Sequence, residues 1–156
     1  MTEDEARAGT GAQQDEPLTE ELLQRLLQSA TPEAYLDQMP TGTRGLADYL
    51  MDLIEARGIR RADVLRGSAV NSTFLYQIFS GERMPGRDTA VRIAFGVGCS
   101  LRETQRVLRH AGVSELWCKN RRDAIIIHCI DHGFSLAECD DELFRLGEQT
   151  LVPREG

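Results

Sequence analysis

From Leu46 to Gly112 the apolar residues recur with the period of a helix, and each stripe is closed by a residue that stops one. Leu46, Tyr49, Leu50, Leu53 and Ile54 stand at i, i+3, i+4, i+7 and i+8 ahead of Gly58. That spacing is one face of an amphipathic helix, followed by a residue that accepts left-handed backbone. A short helix is predicted from about Arg61 to Arg66, carrying Val64 and Leu65. Asn71 then caps a helix holding Phe74, Leu75, Ile78 and Phe79 that ends at Gly81. Beyond Met84-Pro85-Gly86 comes a helix with Ala90, Ile93, Ala94 and Val97. Ser100-Leu101-Arg102-Glu103 is a capping box, and the helix it opens runs to Gly112. No stretch longer than a few residues alternates with the period of a strand. The chain reads as all-α, and a core poor in aromatics (6% of residues) is what Leu, Ile, Val and Ala build between helices.

Punctuation also divides the 156 residues. Residues 1–16 are Gly, Gln and acidic side chains with almost no large apolar one, the composition of a disordered acidic tail. An N-terminal helical extension and linker fill 17–43. Thr19 caps a stripe of Leu22, Leu23, Leu26 and Leu27, Leu18 and Leu23 are placed as a hydrophobic staple, and Thr31-Pro32-Glu33 starts a short helix through Tyr35 and Leu36. The main helical domain spans 44–113, a C-terminal hairpin 114–149, and a tail 150–156. The hairpin repeats an earlier part of the chain. Residues 87–112 and 122–147 align without gaps at an offset of 35, with eight identities in 26 positions. Both copies spell helix, glycine turn, capping box, helix, glycine stop. Trp117 and Leu116 are expected to cover the joint between the two hairpins.

Several function classes drop out. No run approaches the roughly 18 apolar residues a bilayer span requires. The opening Met1-Thr2-Glu3-Asp4-Glu5 resembles neither a secretory nor an organelle signal, so a cytoplasmic protein is expected. Cys99, Cys118, Cys129 and Cys139 form no Cys-x-x-Cys pair, and reduced thiols are expected rather than a disulfide framework. The net charge of −7 argues against nucleic acid until it is partitioned. Residues 44–123 carry fourteen basic and nine acidic side chains, while 1–43 and 124–156 are strongly acidic. A basic middle between acidic flanks is the pattern of a polyanion-binding module.

The segment from Leu46 to about Gly112 resembles a phage-repressor/Cro-type (XRE-family) helix-turn-helix domain over roughly 70 of 156 residues. The resemblance rests on Val64-Leu65, on Val70-Asn71-Ser72-Thr73 with Leu75 and Ile78, on Gly81-Glu82-Arg83 with Pro85, and on Ile93-Ala94 with Val97. It implies a transcriptional regulator that braces one short helix across the DNA backbone and lays the next in the major groove. Asn71, Ser72, Thr73 and Gln77 would then face base edges. Arg61, Arg83 and Arg87 would meet phosphates. Ala69 stands where the family's turn carries glycine, and an alanine in left-handed geometry costs about 1–2 kcal/mol. Because one short helix reads little DNA, the resemblance also implies a homodimer on double-stranded DNA.

A second function class fits the same segment. Phe74, Tyr76 and Phe79 sit where the family shows polar residues, so the fold could serve as a protein-interaction adaptor gripping a partner with those rings. The acidic flanking helices are a further place for a protein partner. Packing against the N-terminal helices or the second hairpin is the preferred account of Phe74 and Phe79. His128 and His132 have a spacing that can share zinc. In the repeat alignment, however, they replace Ile93 and Val97, inward positions, so a partly buried, hydrogen-bonded pair is expected, with no metal and no cofactor. No phosphate-cradling glycine loop, Gly-x-Ser-x-Gly elbow or His-Glu-x-x-His is present. The run Glu138, Asp140, Asp141, Glu142 reads as a solvated helix face, and no enzyme is expected.

Overall fold

The computed structural model describes residues 19–37 and 45–153, which hold nine helices and no strand. Among them no helix is long and apolar enough to cross a membrane. The chain divides into two compact units, Met1–Arg44 and Gly45–Gly156. In the first, α1 (Thr19–Gln28) and α2 (Pro32–Asp37) form where the caps predict them. The Thr31 hydroxyl accepts from the Ala34 N–H at 3.1 Å, and Leu23, Leu26, Leu27 and Leu36 are exposed. The acidic tail expected over 1–16, the staple residue Leu18, the linker up to Arg44 and the last three residues lie outside the described residues.

The second unit contains α3 (Leu46–Arg57), α4 (Arg61–Ser68), α5 (Ser72–Phe79), α6 (Arg87–Val97), α7 (Leu101–His110), α8 (Arg121–Asp131) and α9 (Leu136–Arg145). The predicted stripes are the buried faces: α3 buries Leu46, Tyr49, Leu50, Leu53 and Ile54 and stops at left-handed Gly58. At the centre, α6 buries Ala90, Val91, Ile93, Ala94 and Val97. Each large aliphatic side chain so buried contributes about 1.5–3 kcal/mol.

Glycine decides how close α4 comes to α6. A Cβ on Gly67 would lie 2.9 Å from the Gly96 Cα, and one on Gly96 would lie 2.7 Å from the Val64 carbonyl oxygen. Neither helix tolerates a side chain there, so their backbones touch and the orientation of α4 is fixed.

Residues 114–153 are not a separate domain. Leu116, Ile126, Cys129, Leu136, Cys139 and Leu143 belong to the same buried cluster as α3–α7. The tail expected from residue 150 begins later: Thr150 and Leu151 are buried. The Asp140 carboxylate accepts from the Leu151 and Val152 N–H groups at 2.6 and 3.0 Å. A short apolar segment after a glycine stop carries no periodic signal, so the sequence did not disclose that it packs.

The α6–α7 and α8–α9 hairpins share their hydrogen bonds at the 35-residue offset. The Cys99 N–H reaches the Ala94 carbonyl and the Phe134 N–H the Cys129 carbonyl, each at 2.9 Å. Both capping boxes are closed, Ser100 with Glu103 and Ser135 with Glu138. Arg87 donates to the Ser114 and Glu115 carbonyls, and Arg122 to those of Gln149 and Thr150. Arg87 also pairs with Asp123, while Arg122 pairs with Asp88. Such a reciprocal exchange between equivalent residues is what a two-fold relation produces.

Candidate nucleic-acid interface

The turn between α4 and α5 is three residues, Ala69, Val70 and Asn71, and three anchors hold it. Ala69 has φ 57°, a left-handed alanine. From α6, the Arg92 guanidinium donates to the Ser68 carbonyl at 3.1 Å and to the Ala69 carbonyl, satisfying acceptors left open at the end of α4. Burial lowers the Arg92 pKa below its ordinary value, against the upward pull of Asp140 and Asp88. Buried Ser68 accepts from the Val70 N–H at 3.2 Å. The left-handed residue expected at this turn is therefore Ala69, and Gly67 serves the contact with α6 instead. Arg92 gave no sign of this role in sequence, where it reads as a solvated cation on a helix.

Leu75, Ile78 and Phe79 drive α5 into the core. Its opposite edge faces outward, with Asn71, Ser72, Thr73 and Tyr76 exposed and Gln77 half-buried. The Asn71 side-chain oxygen caps the helix by accepting from the Phe74 N–H at 3.1 Å. A bidentate contact from Asn71 to adenine needs that oxygen as well as the amide nitrogen, so the cap leaves it only a donor. Ser72 and Thr73 make no side-chain hydrogen bond among the described residues, and their hydroxyls are unspent.

Two of the three expected phosphate-binding arginines flank this edge. The Arg61 guanidinium lies 4.9 Å from the centre of the Phe79 ring and 5.9 Å from that of Tyr76. The Arg83 guanidinium lies 5.7 Å from the Phe74 ring. Neither has a carboxylate partner among the described residues. A guanidinium at such a distance is attracted by the quadrupole of the ring. Their neighbours Arg60 and Arg66 are both drawn to Asp63, whose carboxyl the Arg60 N–H holds below its ordinary value.

The third arginine is not part of this edge. Arg87 makes two hydrogen bonds to Asp123, at 2.7 and 3.1 Å, and two to carbonyls of the loop after α7. Four of the five N–H donors of its guanidinium are used inside the protein, so it is a structural cation. In sequence it looked like the next basic residue after Arg83, because its partner lies 36 residues away.

The rings proposed for protein contact divide similarly. Phe79 is buried and Phe74 is half-buried against the core, which leaves only Tyr76 outward, at 63% exposure. Met84 is also exposed. Trp117 does not cover the joint between hairpins: it is 61% exposed, and Leu116 alone is buried there. His128 and His132 are exposed, not partly buried. In the first hairpin Ile93 and Val97 are buried, whereas the equivalent positions of the second are open to solvent. No protein-family model matches the chain, and no curated protein or solved structure matches it either.

Proposed function

We propose that this chain is a sequence-specific DNA-binding transcriptional regulator that lays α5 in the major groove, as its resemblance to phage-repressor/Cro-type proteins implies. The observation that carries the reading is the exposed Ser72–Thr73–Tyr76 edge between Arg61 and Arg83, two cations that no described carboxylate neutralises. Phosphate contacts supply most of the affinity and the register, and base contacts the specificity. Arg61 and Arg83 take the first role; Ser72, Thr73 and Gln77 take the second, with the Asn71 amide as a lone donor. The Phe74, Tyr76 and Phe79 rings support the arginines from below. A homodimer places two α5 helices about one helical turn of DNA apart. This is a binding protein and not an enzyme, acting in the cytoplasm.

The test is binding of the full chain to sheared genomic DNA over a salt series, with the recovered fragments sequenced. Each phosphate contact adds roughly 0.9 to the log–log slope. Arg83→Ala is expected to weaken all sequences alike and flatten that slope by about one. Gln77→Ala costs about 1–3 kcal/mol on the preferred site and little on random DNA. Absence of DNA affinity at low salt overturns the reading in favour of a protein adaptor, which would now have to grip its partner through Tyr76.

A further inference from the structure

His128 and His132 are the remaining reactive cluster outside that edge, and the reason for expecting no metal there was their inward placement. They face outward instead. The imidazole rings stack with centroids 3.9 Å apart and planes 26° from parallel. Phe134 meets both rings edge-on at 6.4 and 6.5 Å; ring lone pairs lie in the ring planes, so sharing an ion requires the two exposed rings to turn out of the stack toward each other. His132 Nδ1 lies 2.9 Å from the His128 carbonyl oxygen. A carbonyl only accepts, so that nitrogen carries the proton and Nε2 is left as a lone-pair donor. Metal-binding histidines are oriented in this way, the second ring nitrogen tied to a backbone carbonyl.

We propose that His128 and His132 form a chelating site for a divalent transition-metal ion of the zinc, nickel or copper class. His128 lies in the last turn of α8 and His132 caps that helix four residues on, which puts both imidazoles on one side of its end, and imidazole is a ligand suited to these ions. Asp131 lies 3.9 Å from His132 Nδ1 and places negative charge beside the pair. Among the described residues no third His, Cys, Asp or Glu completes a cluster. The ion therefore keeps water in its remaining positions and exchanges readily. In the first hairpin the equivalent residues are Ile93 and Val97, so this chemistry belongs to the second copy alone.

The experiment is calorimetric titration of the untagged full chain with Ni²⁺, alongside thermal melts with and without the ion. One ion per chain is expected, and it raises the melting temperature because it binds the folded helix and not the unfolded chain. His128→Gln and His132→Gln should each weaken binding at least tenfold and abolish the thermal shift. His110→Gln and Cys118→Ser should leave both unchanged, which separates the pair from the protein's other soft ligands. Both rings of the pair are on the surface, so the variants fold, and circular dichroism checks this. The proposal is overturned by no binding at millimolar Ni²⁺, or by binding that persists in His128→Gln and His132→Gln.

Discussion

The α6–α7 and α8–α9 hairpins share one frame and differ in what their faces meet. The left-handed glycines Gly98 and Gly133, the two capping boxes and the stops at Gly112 and Gly147 coincide at the 35-residue offset. Where the first hairpin buries Ile93 and Val97 and packs Gly96 against α4, the second carries His128, Asp131 and His132 in solvent. On the second helix, Arg102, Arg106 and Arg109 of α7 become Ala137, Asp141 and Phe144 of α9. Punctuation is local chemistry and survives duplication, while each face is set by whatever packs on it. The same scaffold thus supports the α4–α5 edge on one copy and presents a pair of imidazoles on the other.

The largest expected break in the comparison is at the exchanged ion pairs. Asp123 is buried between Arg87 and the Trp117 N–H, whereas the Asp88 side chain is 41% exposed beside Arg122. Removing one partner of a buried pair leaves the other charge uncompensated and costs about 3–5 kcal/mol. A more exposed pair is worth about 1 kcal/mol. Asp123→Ala should therefore destabilise the protein about three times as much as Asp88→Ala in denaturant titrations. Equal losses would show that the exchange is symmetric in energy as well as in geometry.

Acid sharpens the same contrast. Burial pushes the Asp123 carboxyl up, but hydrogen bonds from Arg87 and the Trp117 N–H, with the charges of Arg87 and Arg122, hold it below the ordinary value. A carboxyl depressed in the folded state contributes stability that is complete above its unfolded pKa, about 3.9. That contribution is lost as pH falls through the lower folded value. Thermal melts from pH 6 to pH 2 should show the wild type losing stability below about pH 4. Asp123→Asn starts lower and falls less steeply over that interval. A parallel decline in the two proteins would remove Asp123 from the acid response.

How much of this the sequence disclosed follows from the range of each interaction. Caps, glycine stops and apolar stripes act within a few residues, and Ser100–Glu103 and Ser135–Glu138 are where the spacing predicts them. Arg87 and Arg92 were harder, because their partners Asp123 and Ser68 are set by tertiary contacts that no local pattern encodes. His128 and His132 were placed inward by analogy with Ile93 and Val97, and their exposure reverses that. On α5 the cap at Asn71 followed from its position, and it takes the side-chain oxygen that a bidentate adenine contact would need.

Smaller effects test whether the frame itself is equivalent in the two copies. Ser100 and Ser135 each accept from the N–H three residues on, at 3.2 and 3.1 Å. Replacing an N-cap serine with alanine costs about 1 kcal/mol. Ser100→Ala and Ser135→Ala should therefore lower stability by the same amount within a few tenths of a kcal/mol. A clear inequality would mean that the buried surroundings of the first hairpin, and not the cap, carry the difference.

The α3–α4 hairpin is a third instance of the frame, and it departs at one residue. Gly58 makes the same left-handed turn as Gly98 and Gly133, with its N–H on the Glu55 carbonyl and the Ile59 N–H on that of Ile54. The Arg60 N–H then meets the Asp63 carboxylate at 2.9 Å, as Ser100 meets Glu103. Where the other two hairpins stop on Gly112 and Gly147, this one stops on Ala69 at φ 57°. The Cβ there costs about 1–2 kcal/mol in left-handed backbone. Glycine removes that cost but returns about 0.5–1 kcal/mol through the greater freedom of the unfolded chain. Ala69→Gly should therefore stabilise the protein by about 0.5–1 kcal/mol, read from the midpoint of a denaturant titration. The Arg92 contacts run to carbonyls and survive the change, so the α4–α5 edge keeps its geometry and any DNA affinity is unaltered. A loss of stability would mean that the alanine methyl is a packing contact holding the turn, and the equivalence of the three hairpins would end at their second helices.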